Sequence, residues 1–241
     1  MITFSPFELA VIFFVTCLGA TVQGAVGYGM ALVAGPILLL IDPGLIPGPM
    51  TIAAALLVGL VIVRDKQAVD IFGLKWSILG MVFGLALGAY VLSNFSSRSF
   101  PTIFGGLIIL AVLMSVIGLR FPPRKPILVG AGFLAGLMGI LTTTSGPPIA
   151  LVYQDAPGQK LRATISGFFV VGIVFTALTL LSIGKLGSHE VILSLFLMPG
   201  ILVGYWLSNR IVNWVDRGFT RPAVLTIAAL SALTILISQF K

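Results

Sequence analysis

Residues 19–29 read GATVQGAVGYG and residues 136–146 read GLMGILTTTSG. Each stretch closes an apolar run and precedes a shorter one, and their terminal glycines match at an offset of 117 residues. Further along, Gly84, Gly88 and Tyr90-Val91-Leu92-Ser93-Asn94 are echoed by Gly200, Gly204 and Tyr205-Trp206-Leu207-Ser208-Asn209, at offsets of 115 to 116. A near-constant offset over separate stretches marks an internal repeat. The chain therefore divides into two homologous halves, residues 1–122 and 123–241.

Working outward from these stretches, the rest of the chain is apolar run after apolar run. A membrane-spanning helix needs about 20 such residues. Long runs cover residues 6–23, 47–63, 72–92, 100–119, 127–141, 163–183, 191–207 and 222–237, whereas the pieces 30–41 and 149–153 are too short to span comfortably. Of the 241 residues 58% are hydrophobic and 9% charged, against roughly 25% charged in a soluble domain. Too few polar groups exist to coat a water-soluble surface, so the apolar excess belongs on an exterior facing lipid. The fold class is all-α integral membrane. No basic residue precedes the first run, which carries Glu8 instead, so it reads as a retained span rather than a cleavable signal.

The net charge of +7 lies in short connections rather than in a stripe, which excludes nucleic acid as a partner. If the first two pieces of each half return to the side they left, Arg64, Lys66, Lys75, Arg120, Arg124, Lys125, Lys160, Arg162, Arg210, Arg217 and Arg221 share one face. Arg98, Lys185 and Lys241 then fall opposite. That asymmetry identifies a cytoplasmic side, with loops 64–71, 120–126, 155–162 and 209–221 on it. Five pieces per half make the repeats inverted in topology, each a broken or re-entrant pair plus three full spans. Both termini then lie outside the cytoplasm, in a multi-pass protein of the bacterial cytoplasmic (inner) membrane.

Interrupted segments at equivalent places in inverted halves point to a solute site near the midplane. The first interruption offers Gln23, Gly24, Gly27, Tyr28 and Gly29; the second offers Thr142, Thr143, Thr144, Ser145, Gly146 and Pro147. Glycines admit close backbone approach, and helix N-termini, hydroxyls and an amide replace part of an anion's hydration shell. Against this stands a structural alternative in which the glycines serve helix packing and the hydroxyls bond back to their own helix. Packing is the reading for Gly80, Gly84, Gly88, Gly200 and Gly204. Arg162, in a cytoplasmic loop, is placed to meet an arriving anion. Cys17 and His189 are each single, which leaves no disulfide and no metal cluster. No cofactor motif, catalytic constellation or mid-span acid is present, so the chain reads as no enzyme. Its partners are the bilayer and a small anionic substrate, with a homo-oligomer left open.

The stretches GATVQGAVGYGMALVAGPILLL and SGPPIALVYQ, with Leu161-Arg162-Ala163-Thr164 after them, resemble the sulfite exporter TauE/SafE family of membrane permeases. The resemblance covers nearly the whole chain. It implies movement of small sulfur-containing anions, such as sulfite or organosulfonates, by a secondary transporter. A carrier or channel for another organic, neutral or cationic solute remains the alternative, and an intramembrane enzyme a third reading.

Overall fold

The computed structural model describes residues 4–94 and 121–214, together with eight positions between 103 and 114. The expected spans 100–119 and 222–237 lie outside the described residues, apart from those positions. Among the described residues, eight helices have both ends defined, in chain order α1 Pro6–Val26, α2 Met30–Ile41, α3 Gly48–Asp65, α4 Ile71–Asn94, α5 Lys125–Thr142, α6 Gly146–Tyr153, α7 Gly158–Ser182 and α8 Ser188–Trp214. Six of them, all but α2 and α6, are long and apolar enough to cross a membrane. Large apolar side chains such as Phe14, Phe83, Val174, Leu178 and Trp206 point outward. In water such a surface would aggregate; in lipid it is the solvent-matched exterior. The protein is a multi-pass membrane protein.

Local chemistry sets the helix ends. Ser5 and Glu8 close a capping box, the Glu8 carboxylate accepting from the Ser5 N–H at 2.7 Å, with Pro6 in the first turn where its missing N–H costs nothing. Helix α1 stops at Gly27, whose φ of 103° suits a residue without a Cβ and whose N–H donates to the Gln23 carbonyl. Helix α5 stops the same way at Thr143, a β-branched residue held at φ 55°, donating to the Gly139 carbonyl at 2.8 Å. That conformation is strained, by about 1–3 kcal/mol.

Three helices reach further than their apolar runs, which corrects the sequence-based loops. Helix α7 begins at Gly158, so Lys160 and Arg162 are helical; α8 carries Asn209 and Arg210, and α3 ends on Arg64 and Asp65. Apolarity marks only the length that lipid covers, while polar turns of the same helices continue toward the interface.

Glycine seams fix how the helices pack. Along α1 and α8, Gly200 lies against Phe13 and Thr16, Gly204 against Cys17 and Ala20, and Gly24 against Ser208, so the two run parallel. Along α4 and α5, Gly80 lies against Val129, Gly84 against Phe133 and Gly136 against Met81, again in parallel. Gly80, Gly84, Gly200 and Gly204 are packing residues, as read from the sequence; Gly24 and Gly136 join them, although the sequence placed them in the interrupted stretches. Between the two pairs, α3 and α7 are antiparallel: Asp65 meets Arg162 at 3.3 Å at one end, and Gly48 lies beside Lys185 at the other.

One end of the bundle gathers the basic residues. Arg64 donates to Asn209 at 2.7 Å, Lys160 pairs with Asp70 at 3.6 Å, and Lys125 lies 5.0 Å from the centre of the Trp76 ring. Helices α1, α3 and α8 run toward this basic end; α4, α5 and α7 run away from it. The chain turns at 27–29 and at 143–145, and α2 folds back so that Met30 lies against Gly19.

In lipid, association rests on close contact rather than on a hydrophobic drive. Gly84→Ala and Gly204→Ala should each lower stability in detergent by about 1–3 kcal/mol through overpacking. Gly59→Ala, where a Cβ meets open space, should be neutral or slightly stabilising. Equal thermal unfolding of all three would refute the seams.

Candidate functional site

The turns at 27–29 and 143–145 come together although 117 residues separate Gly29 from Gly146. Gly146 packs directly on the Tyr28 ring, and a Cβ there would collide with it. A pocket of about 10 Å³ between them is lined by Gln23, Tyr28, Gly29, Thr143, Thr144, Ser145, Gly146 and Pro147. A larger cavity of about 50 Å³ shares Gln23, Thr143 and Ser145 with it and is walled by Thr51, Ala54 and Val58 of α3 and Phe169, Gly172 and Thr176 of α7. One water needs roughly 10–15 Å³ by this measure, so the space suits a few waters or one small solute.

Four of the residues singled out from sequence lie elsewhere. Gly24 packs on Ser208 and gives its carbonyl to Arg64 at 2.6 Å. Gly27 lies against the Arg162 backbone, and Thr142 is fully buried with its hydroxyl donating to Met138 O at 2.8 Å. Arg162 is neither in a loop nor on the cavity. It is buried in α7, with Nε 3.3 Å from the Asp65 carboxylate and a guanidinium N–H donating to Ala25 O at 3.4 Å.

Hydrogen bonding sorts the donors around the cavity. Thr51 donates to Pro47 O, Thr143 and Thr144 both donate to Thr142 O, and so their protons are committed. Gln23 is different. Its Oε1 accepts the Met30 N–H at 3.2 Å, which caps the start of α2 and orients the amide, and Nε2 has no acceptor among the described residues. The hydroxyls of Ser145 and Thr176 line the cavity with no acceptor among the described residues. Prolines 147 and 148 remove two of the first N–H groups of α6, so side chains supply most donors on that side. Among the described residues no Lys, Arg, Asp, Glu or His lines either space.

Thr51, Thr176 and the buried Asp65 were missed in the sequence. The two threonines sit in apolar runs where single hydroxyls carry no pattern. Asp65 adjoins Arg64 and looked like part of a charged loop. It is instead 6% exposed, between Arg64 at 3.0 Å and Arg162. Together the arginines satisfy the carbonyls of Gly24 and Ala25 at the end of α1, groups that would otherwise be orphaned there. A second polar cluster lies beside it at the basic end. Burial raises the Asp70 pKa, but the Gly73 N–H, the Tyr153 hydroxyl and Lys160 outweigh it and hold the carboxyl below its ordinary value. Among the described residues no group of His, Cys, Asp or Glu gathers to hold a metal ion.

A bundle of spanning helices around a small, uncharged, donor-lined cavity is the build of a membrane transport protein. The chain belongs to the sulfite exporter TauE/SafE family, whose model matches residues 12–235. No curated protein and no solved structure matches it.

Removing one member of a buried ion pair strands the other, at a cost of about 3–5 kcal/mol. Asp65→Asn and Arg162→Gln should therefore each destabilise the fold strongly, and the double variant by less than the two together. Additive losses on thermal unfolding would show that the pair is not coupled.

Proposed function

We propose that the protein is a secondary transporter, working as an exporter, of small sulfur-containing anions such as sulfite or organosulfonates across the bacterial cytoplasmic (inner) membrane. The observation that carries this reading is the meeting of two distant turns at one cavity whose free polar groups are donors. Sulfite and sulfonate oxygens are acceptors only. Gln23 Nε2, Ser145 and Thr176 would replace part of the hydration shell, with Tyr28, Gly29, Thr143, Thr144, Gly146 and Pro147 shaping the cavity. Gly24, Gly27, Thr142 and Arg162 hold the turns in place from behind. Neutral donors bind less firmly than cations do, and a carrier must release what it binds.

The inverted-repeat reading, with halves 1–122 and 123–241, draws support from packing. Helices α1 and α5, the equivalents at the common offset, run in opposite directions, as do α3 and α7. The parallel pair α1 with α8 becomes α4 with α5 when the halves are exchanged. Rocking of such halves about a shared cavity would expose it alternately to each side. The walls given by Ala54 and Val58 and by Phe169 and Gly172 lie near the middle of α3 and α7, which favours a site at the midplane. With the basic end cytoplasmic, α1 starts outside.

A lining without cations among the described residues also suits a neutral solute, the second reading. Protein in liposomes, tested with sulfite, sulfoacetate, sulfate, carboxylates and uncharged analogues of similar size, separates the two. Flux of sulfite or sulfoacetate with the neutral compounds excluded is expected; the reverse order refutes the anion site. Gln23→Ala and Ser145→Ala should each weaken apparent affinity roughly five-fold, the effect of one hydrogen bond of about 1 kcal/mol. Gly146→Leu should abolish transport by driving into Tyr28.

The threading has its own test. In a Cys17→Ser background, cysteines placed at Pro123 and at Gly187 should react with impermeant reagents from opposite sides. Labelling of both from one side would refute the topology.

A further inference from the structure

We infer that the outer groove between α4 and α5 binds an anionic phospholipid from the leaflet at the basic end. The groove is separate from the cavity, and the inference does not depend on what that cavity carries. Its floor is the glycine seam where Gly80 meets Val129. Its walls are Trp76 and Phe83 of α4 and Lys125, Gly130 and Phe133 of α5.

The groove is graded along its length. Trp76 and Lys125 close the basic end; Gly80, Phe83, Val129, Gly130 and Phe133 continue away from it with no polar side chain. From Lys125 to Phe133 the rise along α5 is roughly 12 Å, room for the upper half of an acyl chain. Phe83 is 63% exposed and a Cβ on Gly130 would meet open space, so the groove opens outward at both walls. Tryptophan with a nearby cation is a pairing typical of head-group depth. Arg210 over Trp206, at 4.7 Å, repeats it on α8 at the same end.

Charge complementarity selects the head group. Lys125 lies over the Trp76 ring, and it, Arg124 and Lys75 make no ion pair among the described residues. Elsewhere at the basic end Arg64 and Arg162 share the Asp65 carboxylate and Lys160 pairs with Asp70. Lys125 at the mouth of the apolar groove, with Arg124 beside it in the chain and Lys75 beside Trp76, presents a phosphodiester with its counter-charge and its chains with a matched surface. A zwitterionic head group would bring its own cation into that cluster.

The test uses the full chain with Trp206→Phe and Trp214→Phe, leaving Trp76 as the reporter, in phosphatidylcholine vesicles. Chain-brominated phosphatidylglycerol should quench Trp76 at a several-fold lower mole fraction than chain-brominated phosphatidylcholine. Arg124→Gln and Lys125→Gln should each cut that preference roughly five-fold, the effect of about 1 kcal/mol per basic residue at an anionic surface. Gly130→Leu fills the groove without touching the α4–α5 seam and should reduce quenching by both lipids. Soluble glycerol phosphate should not compete. Equal quenching by the two lipids overturns the proposal in favour of unselective boundary lipid. Protection of Trp76 from both lipids, with a dimer in solution, overturns it in favour of a second copy on this face. Full competition by glycerol phosphate reduces the site to a head-group anion site and overturns it also.

Discussion

A backbone amide or carbonyl inside a membrane has no water to turn to, and each one left unpaired costs several kcal/mol. The architecture around the turns at 27–29 and 143–145 follows from that constraint. Gly27 and Thr143 return their N–H groups to the helices they end, donating to Gln23 O and Gly139 O. The start of α2 is met by the Gln23 side chain, and the last carbonyls of α1 by Arg64 and Arg162 from two other helices. Arg162, buried, and Arg64, half-buried, could not both remain there without a counter-charge. Asp65 lies between them because the arginines must be there, and the arginines are there because α1 ends where it does.

Packing of the long helices answers to the same solvent. Lipid gives helices no hydrophobic reason to associate, so contact area and small residues must do so. The seams at Gly80, Gly84 and Gly136, and at Gly200 and Gly204, bring backbone against backbone along two parallel pairs. With α1 and α8 locked together, and α4 and α5 likewise, the antiparallel α3 and α7 lie between two firm units. The cavity occurs where those two central helices meet both turns. Its small volume is a consequence of that arrangement.

How much of this was legible depends on whether a residue's role is repeated or solitary. The bounds of α2 coincide with the apolar run 30–41, because apolarity against lipid is a property of whole stretches. The glycine seams were readable from their spacing. Gln23 was singled out as a donor, yet its carbonyl oxygen serves as a helix cap, a role fixed by the fold-back of α2 that no local pattern encodes. Arg162 and Asp65 lay in what read as charged connections; their burial comes from the ends of α1, α3 and α7 converging, a relation over 97 residues. Thr51 and Thr176 became cavity residues only through the antiparallel contact of α3 with α7. The threonines 142–144 look like ligand hydroxyls in the sequence and are occupied by their own turn.

Charge is thus segregated along the protein. At the basic end Arg64 and Arg162 meet Asp65 and Lys160 meets Asp70, while among the described residues no charged side chain lines the cavity. On the reading proposed above, this separation has an energetic logic. An anion in the cavity meets no opposite charge that would hold it too tightly, and no carboxylate that would repel it. Moving one elementary charge across a membrane potential is worth about 2.3 kcal/mol per 100 mV. For a monoanion leaving a negatively charged interior that term is favourable, roughly a fifty-fold concentration ratio at 100 mV. Export of such an anion would need neither nucleotide hydrolysis nor a proton relay through buried acids. The neutral cavity then lets the field act on the substrate's own charge, since a compensating cation carried with the site would cancel it.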